Sequence, residues 1–293
     1  MNNFKKIGLT ALAGSLVTLG SAQAGEMSVS GGITTVLKFG KGGGNTSRTI
    51  GTDKDVAFTG GGELDNGTTF SMTATTNDAH GISSSTTTIT TPSLGSFSLG
   101  SSSGSASYMY DEEVPTAYEQ VSDGKDTASN KVGDFMDNNS VMYTSPTLDM
   151  MGASITAHVG YSPKADDQAM GDGAQVSYTN TVGSGKEAGI TIAYEGLKLG
   201  FYGAERSRTV PQVSGATGNY ETDEFNGAWY AKYSMGPVSI GYSEFYLDAG
   251  VTSAVTGTTT AKDRRGTNAG GLYTGDQMSI AFNVNDNLSL IHI

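Results

Sequence analysis

The sequence has no cysteine, only 1 tryptophan and only 6 prolines among 293 residues. Without cysteine it has no disulfides, on which small exported domains with a weak core usually depend. The chain beyond its first residues also has no apolar run near 18 residues, which excludes a helical membrane-spanning protein. The mean hydropathy of −0.25 describes a chain that is polar on average. Stability must therefore come from an extensive hydrogen-bonded framework.

The N-terminus has the three parts of a secretory signal. Lys5 and Lys6 form a basic start, residues 7–19 are mostly apolar, and Ala22 and Ala24 give the small-x-small pattern of a cleavage site. The apolar run is too short to cross a bilayer as a helix. We expect cleavage after Ala24, so that residues 1–24 are a signal peptide and residues 25–293 form one domain. The alternative is an uncleaved N-terminal anchor.

The formal net charge is −12, and the signal segment contributes two lysines and no acids, so removal of residues 1–24 takes the charge to −14. Nucleic-acid binding requires a basic surface, so nucleic acid is excluded as an expected partner. An acidic interior or acidic outer loops fit this balance better.

Strict alternation of apolar and polar side chains is the strongest pattern in the chain. In residues 153–162, for example, Ile155 and Val159 share one parity, and Thr156 and His158 share the other. This period of two predicts β-strands with one apolar face. The clear segments are 26–39, 55–64, 68–77, 153–162, 189–194, 197–201, 225–235, 238–242, 278–284 and 288–290, and the weaker ones are 84–91, 96–100 and 139–145.

Short and long connections alternate between these segments. The short ones are near 65–67, 92–95, 146–152, 195–196, 235–237 and 285–287, and the long ones are 40–53, 78–83, 101–138, 163–188, 205–224 and 248–276. Tight turns at one end and long loops at the other are typical of a transmembrane β-barrel. In a bilayer every backbone amide must be paired, and a closed barrel of strands achieves this. A soluble sandwich or an adhesin also shows alternation, and it remains the second interpretation.

Two motifs resemble the Gram-negative general porins. Leu94–Gly100 reads LGSFSLG, like the strand before the third loop of that family, and Asn139–Pro146 reads NSVMYTSP, like the strand that follows this loop. The resemblance implies an all-β chain: a transmembrane antiparallel β-barrel of sixteen strands, usually a homotrimer, whose third loop folds inward. About 12–13 of the expected 16 strands are recognisable, and the chain does not end in the family's terminal aromatic residue. We therefore expect the barrel to be incomplete at its C-terminus.

The resemblance also implies a pore constriction. Residues 101–138 occupy the position of the inward-folded loop, and their acids Asp111, Glu112, Glu113 and Glu119 become the candidate constriction residues. The alternative is an ordinary solvated acidic loop on the outer surface. Such pores often oppose the loop acids with a basic wall, for which Lys38, Lys198 and Lys232 have the lumenal parity. The alternative for these lysines is scattered solubilising charge.

Catalytic and metal-binding motifs are missing from the sequence. The three histidines are far apart and show no H-x-x-x-H spacing, no G-x-S-x-G motif occurs, and no G-K-[ST] follows the glycines at 40–44. We expect no catalytic residue, no metal and no cofactor. The sequence favours an outer-membrane porin, embedded in outer-membrane lipid, for passive diffusion of small hydrophilic solutes and ions with a mild cation preference. The alternative is an exported β-rich adhesin or autotransporter-like structural protein.

Overall fold

The computed structural model describes residues 26–39, 48–76, 81–101, 105–111, 113–116, 136, 140–165, 182–208, 223–248, 272–285 and 288–292. Within these ranges the only helix is the single 3₁₀ turn Ala106–Met109. None of these residues belongs to a helix that is long and apolar enough to cross a membrane.

The rest of the regular structure is β-strand, as the alternation predicts. The described residues form fourteen strands: β1 (Glu26–Phe39), β2 (Arg48–Glu63), β3 (Thr69–Thr76), β4 (Ile82–Thr91), β5 (Gly95–Ser101), β6 (Ser140–Thr144), β7 (Leu148–Met150), β8 (Ala153–Ser162), β9 (Val182–Tyr194), β10 (Leu197–Arg208), β11 (Glu224–Met235), β12 (Val238–Asp248), β13 (Leu272–Asn285) and β14 (Leu288–His292).

The chain divides into two compact units, and the first is Met1–Pro92. Its strands pair antiparallel in the order β1, β2, β3, β4. The predicted turn at Asp65–Gly67 is confirmed: Gly67 has a φ of 79°, and the Thr68 amide donates to Asn66 Oδ1 at 3.0 Å. Positive φ is accessible to glycine at little cost, which explains the residue at this turn. The described side chains of this unit include no buried hydrophobic residue.

The second unit is Ser93–Ile293. Strands β5, β6 and β8 to β14 each pair antiparallel with the next, and β7 pairs with β8. The predicted tight turns are confirmed at Glu195–Gly196 and Gly236–Pro237. Glu195 has a φ of 48° and Gly236 a φ of 57°. These two turns fix the register of the hairpins β9–β10 and β11–β12.

Burial along β8 to β13 is the reverse of that in a soluble protein. The buried face, meaning the parity whose side chains are covered, is small, aromatic or polar except at Leu247, and it includes His158, Glu187 and Gln277. The exposed face, meaning the other parity, carries large apolar residues, with Val159 54% and Ile280 46% exposed. Large contiguous apolar surfaces are rare on soluble monomers and mark a contact with lipid or protein. The predicted division of the strands by parity is confirmed in this unit.

Several strands are longer than the alternation predicts. Strand β2 begins at Arg48, β9 at Val182 and β13 at Leu272, all inside stretches that were predicted as loops, and β10 continues to Arg208. Ser101, the first residue of the predicted loop 101–138, belongs to β5. Strand β7 lies inside the predicted turn 146–152. Backbone pairing thus continues beyond the segments with strict alternation, because ladder hydrogen bonds do not require an apolar face.

Candidate functional site

The site lies in the second unit, where part of the expected constriction loop packs against the buried face of the strands. The described part of this loop is Ser105–Asp111, Glu113–Thr116 and Met136; we call Ser105–Asp111 with Glu113–Thr116 the docked segment. Ala106, Ser107 and Tyr110 in this segment have no exposed surface, and Val114 is 6% exposed. One side of the segment is therefore covered, while Tyr108 and Met109 remain exposed.

Tyr110 is the central aromatic residue of the docked segment. Its ring stacks on Tyr202 at a centroid distance of 5.3 Å and lies 6.1 Å from both His158 and Tyr230. Thr191 Oγ1 donates to the Tyr110 hydroxyl at 3.4 Å. Burial raises the pKa of Tyr110 to about 12, because the charged phenolate is poorly solvated there. Tyr110 thus joins the loop to an aromatic cluster on three strands.

The second half of the docked segment lies against β12 and β13. A Cβ at Gly241 would come within 2.5 Å of Pro115 Cδ and 3.1 Å of Val114 Cα, so the bare glycine leaves room for the loop backbone. Ser279 Oγ donates a hydrogen bond to the carbonyl oxygen of Pro115. Sequence position alone does not bring these residues together, since Ser279 and Pro115 are 164 positions apart.

Glu187 joins the start of the docked segment to the sheet. It lies on β9, is 3% exposed, and its carboxylate accepts hydrogen bonds from Ser105 Oγ at 2.7 Å, from the Ala106 amide at 2.6 Å and from the Tyr202 hydroxyl at 2.9 Å. Both carboxylate oxygens are used. A buried charge is tolerated only when donors surround it, and here they come from loop and wall together.

The charges predicted to oppose each other across a pore are in direct contact. Lys232 forms an ion pair with Glu113 of the docked segment. Lys198 lies directly opposite Lys232 on the neighbouring strand, and the Nζ atoms of the two lysines are 5.7 and 5.4 Å from the Tyr230 ring centroid. Within the described part of the chain Lys198 has no ion pair. Since like charges opposite each other repel, Glu113 compensates one member of the lysine pair.

A second ion pair is buried on the same face of the sheet. Arg206 Nε and Nη2 donate to the two carboxylate oxygens of Glu224, each at 3.0 Å, and both side chains are 2% exposed. The two residues are also direct partners in the β10–β11 ladder. This bidentate geometry fixes both charged groups, so the pair contributes no net charge to the face.

The structure places some of the predicted site residues and not others. Asp111 is buried at 9% exposure, and Glu113 pairs with Lys232. Glu112 and Glu119 lie outside the described residues. Lys38 lies on β1 opposite Thr49, and its side chain is outside the described part.

Sequence reasoning missed Glu187 and Tyr110. Glu187 was assigned to the loop 163–188, because residues 182–188 read VGSGKEA and show no apolar alternation. The strand parity is the pattern that could have identified Glu187. Gly185, Glu187 and Gly189 have the odd numbers that lie on the buried face of β9.

The arrangement presents fixed charges and aromatic rings along one face of the sheet. The described residues contain no cluster of three or more His, Cys, Asp or Glu side chains that could hold a metal ion. The face carries charges of both signs: the lysine pair is positive, and the carboxylates of Glu187 and Glu224 are negative. The docked segment packs against these groups.

The comparison with known families decides the identity of the fold. A model of the Gram-negative porin family matches residues 8–288. The chain belongs to this family. The porin is thus an outer-membrane protein of the transmembrane antiparallel β-barrel class, as the resemblance implied, with a role in transport. Family membership supports a porin-like role.

The porin is also similar to solved outer-membrane structures. A loop L8 deletion mutant of OmpT from Vibrio cholerae has 12% identity and a TM-score of 0.47, covering 89% of this chain and 90% of that chain. A trimer form of OmpT has 10% identity and a TM-score of 0.44, covering 90% and 85%. A double mutant of the Rhodopseudomonas blastica porin has 13% identity and a TM-score of 0.43, covering 90% and 92%. No curated protein matches the porin significantly.

Proposed function

We propose that this porin is a passive diffusion channel for small hydrophilic solutes and ions, with a mild preference for cations, and that residues 1–24 are removed on export. Solutes are sorted by size where the docked segment narrows the pore, and by charge through the acidic groups around it. No covalent step is involved.

The packing of the docked segment is the observation that carries this proposal. Ala106 and Tyr110 are fully buried, and the segment is held through Glu187, Lys232 and Ser279 on three different strands. A loop held so closely against the polar face of the strands supports a constriction. A loop that is free in solvent on the outer surface would not have these contacts.

Charge supports the preference for cations. Residues 1–24 contain two lysines and no acids. The chain without them therefore has a formal charge of −14 instead of −12. On the described face Lys232 and Arg206 are compensated by Glu113 and Glu224. A wet passage between low-dielectric walls concentrates ions of the opposite sign, so excess carboxylates favour cations.

A homotrimer is part of the proposal. One of the similar structures is described as a trimer form of OmpT, and the resemblance to general porins implies the same assembly. The exposed apolar face of the strands supplies surface both for lipid and for a neighbouring copy.

Planar-bilayer recording of the folded, full-length porin tests the function. We expect discrete ohmic steps, and a reversal potential in a salt gradient that shows cations to be more permeant than anions. Absence of steps from protein that is folded by gel mobility would contradict the channel. Clear anion selectivity would contradict the charge proposal only, and a monomeric mass in mild detergent would contradict the trimer only.

A further inference from the structure

Glu187 is a buried acid. Its backbone pairing in β9 does not require a carboxylate side chain. It lies on the buried face of β9 and is 3% exposed. Its partners are unusual because Ser105 and Ala106 are more than 80 positions away on the docked segment, whereas Tyr202 is on the neighbouring strand β10. A single side chain therefore connects the loop to two strands of the wall.

Three of its donors converge on the carboxylate at short distances. Oε1 accepts from the Ala106 amide at 2.6 Å, and Oε2 accepts from Ser105 Oγ at 2.7 Å and from the Tyr202 hydroxyl at 2.9 Å. Charge-assisted hydrogen bonds are shorter and stronger than neutral ones. Ser105 Oγ also lies 2.7 Å from Ser107 Oγ, which orients its hydroxyl group.

The neighbouring strand leaves space for this carboxylate. Gly160 on β8 is the direct ladder partner of Glu187, and a Cβ at Gly160 would overlap the carboxylate group of Glu187. With glycine there, the Glu187 side chain can lie over β8 and still reach the loop. The position of the carboxylate is thus set by backbone geometry on one side and by its donors on the other.

We propose that Glu187 is the positioning residue of the constriction: its carboxylate fixes the docked segment on the wall and so sets the width and steadiness of the pore. This inference rests on the proposed function. The carboxylate acts through the docked segment and does not need to touch the permeating solute.

The isosteric variant Glu187→Gln tests the charge and the acceptor count together. Glutamine keeps the shape but carries no charge and offers one acceptor oxygen and an NH₂ group, so at least one of the donors Ser105, Ala106 and Tyr202 can no longer donate to this side chain. A matched control is Glu205→Gln, because Glu205 lies on the exposed face of β10 in an exposed ion pair with Lys186 at 3.4 Å. Tyr202→Phe removes one donor only and serves as the second variant if Glu187→Gln does not fold.

Two readouts separate the inference from the function it rests on. The first is limited chymotrypsin cleavage at Tyr108, a 45% exposed residue of the docked segment, in protein that remains folded by gel mobility. When opening is fast, cleavage follows the population of the open segment, so loss of one charge-assisted bond should speed it about tenfold. The second is single-channel conductance and its noise, both of which should rise.

Faster cleavage together with higher, noisier conductance in Glu187→Gln, with a smaller change in Tyr202→Phe and none in Glu205→Gln, supports the inference. If the wild type forms channels but Glu187→Gln shows unchanged cleavage and conductance, the inference about Glu187 is overturned and the proposed function stands. A silent wild-type protein would overturn the function, and the cleavage rates would then still decide whether Glu187 holds the segment.

Discussion

Gly189 lies under the side chain of Tyr110 so closely that a Cβ at this position would come within 2.5 Å of two ring carbons and the hydroxyl oxygen. The glycine is on β9 and the tyrosine on the docked segment, so the bare backbone of the strand forms the floor on which the loop ring rests. Any larger residue must displace either the ring or the strand. The strand is held by ladders on both sides, so the ring is the part that moves.

The variant Gly189→Ala should therefore loosen the docked segment. We expect higher single-channel conductance and faster proteolysis within residues 105–116, because the Cβ takes the space of the Tyr110 ring. Overpacking of this kind typically costs about 1–3 kcal/mol. Gly203→Ala is the control, since a Cβ there meets the nearest atom at 3.8 Å. Equal conductance in wild type and Gly189→Ala would contradict the packing argument.

The ion pair between Glu113 and Lys232 should influence charge selection. In Glu113→Gln the only carboxylate that pairs with Lys232 within the described residues is removed, and Lys198 lies directly opposite, so the reversal potential should move toward anion permeation. Lys232→Gln should move it in the opposite direction. Because the two side chains are only 28% and 24% exposed, the cost to stability should lie between the about 0.2–1 kcal/mol of an exposed pair and the about 3–5 kcal/mol of a buried one. Shifts of the same sign in both variants would refute the assignment.

The buried pair Arg206–Glu224 should contribute to stability through mutual compensation. Glu224→Gln removes the carboxylate that pairs with the buried guanidinium in both hydrogen bonds, and breaking a buried ion pair typically costs about 3–5 kcal/mol. The double variant Arg206→Met/Glu224→Leu should be less destabilised than this single one, because both charges are gone. The temperature of the heat-induced shift in gel mobility measures the difference. A double variant that is less stable than Glu224→Gln would disprove the pairing argument.

Tyr110 gives the protein a sensitivity to alkali. Burial raises its pKa from 10.0 to about 12, so the folded chain keeps this proton at a pH where the unfolded chain has lost it. The free energy of unfolding should consequently fall as the pH rises from about 10 to about 12. Below pH about 10 the stabilising contribution of Tyr110 should be fully present. Absorbance titration should show one late-titrating phenol fewer in Tyr110→Phe than in the wild type. Identical titration curves for the two proteins would contradict the burial of this hydroxyl.

The sequence predicted the strands wherever one face is apolar. Residues Ile155 to Tyr161 of β8 and the turn at Glu195–Gly196 follow directly from alternation and from the tolerance of glycine for tight turns. The first half of β9, with Gly185, Lys186 and Glu187, was missed because polar and glycine residues carry no parity signal. Its backbone still pairs, as the contact of Gly185 with Arg206 in the ladder shows.

The site was predictable only as separate residues. Glu113 and Lys232 were each selected for their charge and position, but their contact spans 119 positions, and no local pattern encodes it. Gly189 and Gly241 look like ordinary strand glycines in the sequence, and only the docked loop gives them a role. A single sequence thus predicts which face a residue occupies but not what packs on that face.

Trp229 allows the division of the two faces to be measured directly. It is the single tryptophan of the chain, lies on the exposed face of β11 with 36% of its surface accessible, and donates from Nε1 to Glu244 at 2.9 Å. Its fluorescence can be recorded in vesicles whose acyl chains carry bromine, with aqueous iodide as the competing quencher. Strong quenching by the brominated chains and weak quenching by iodide is the predicted result. The reverse would show that this face meets water, and it would contradict the assignment of the exposed face to lipid.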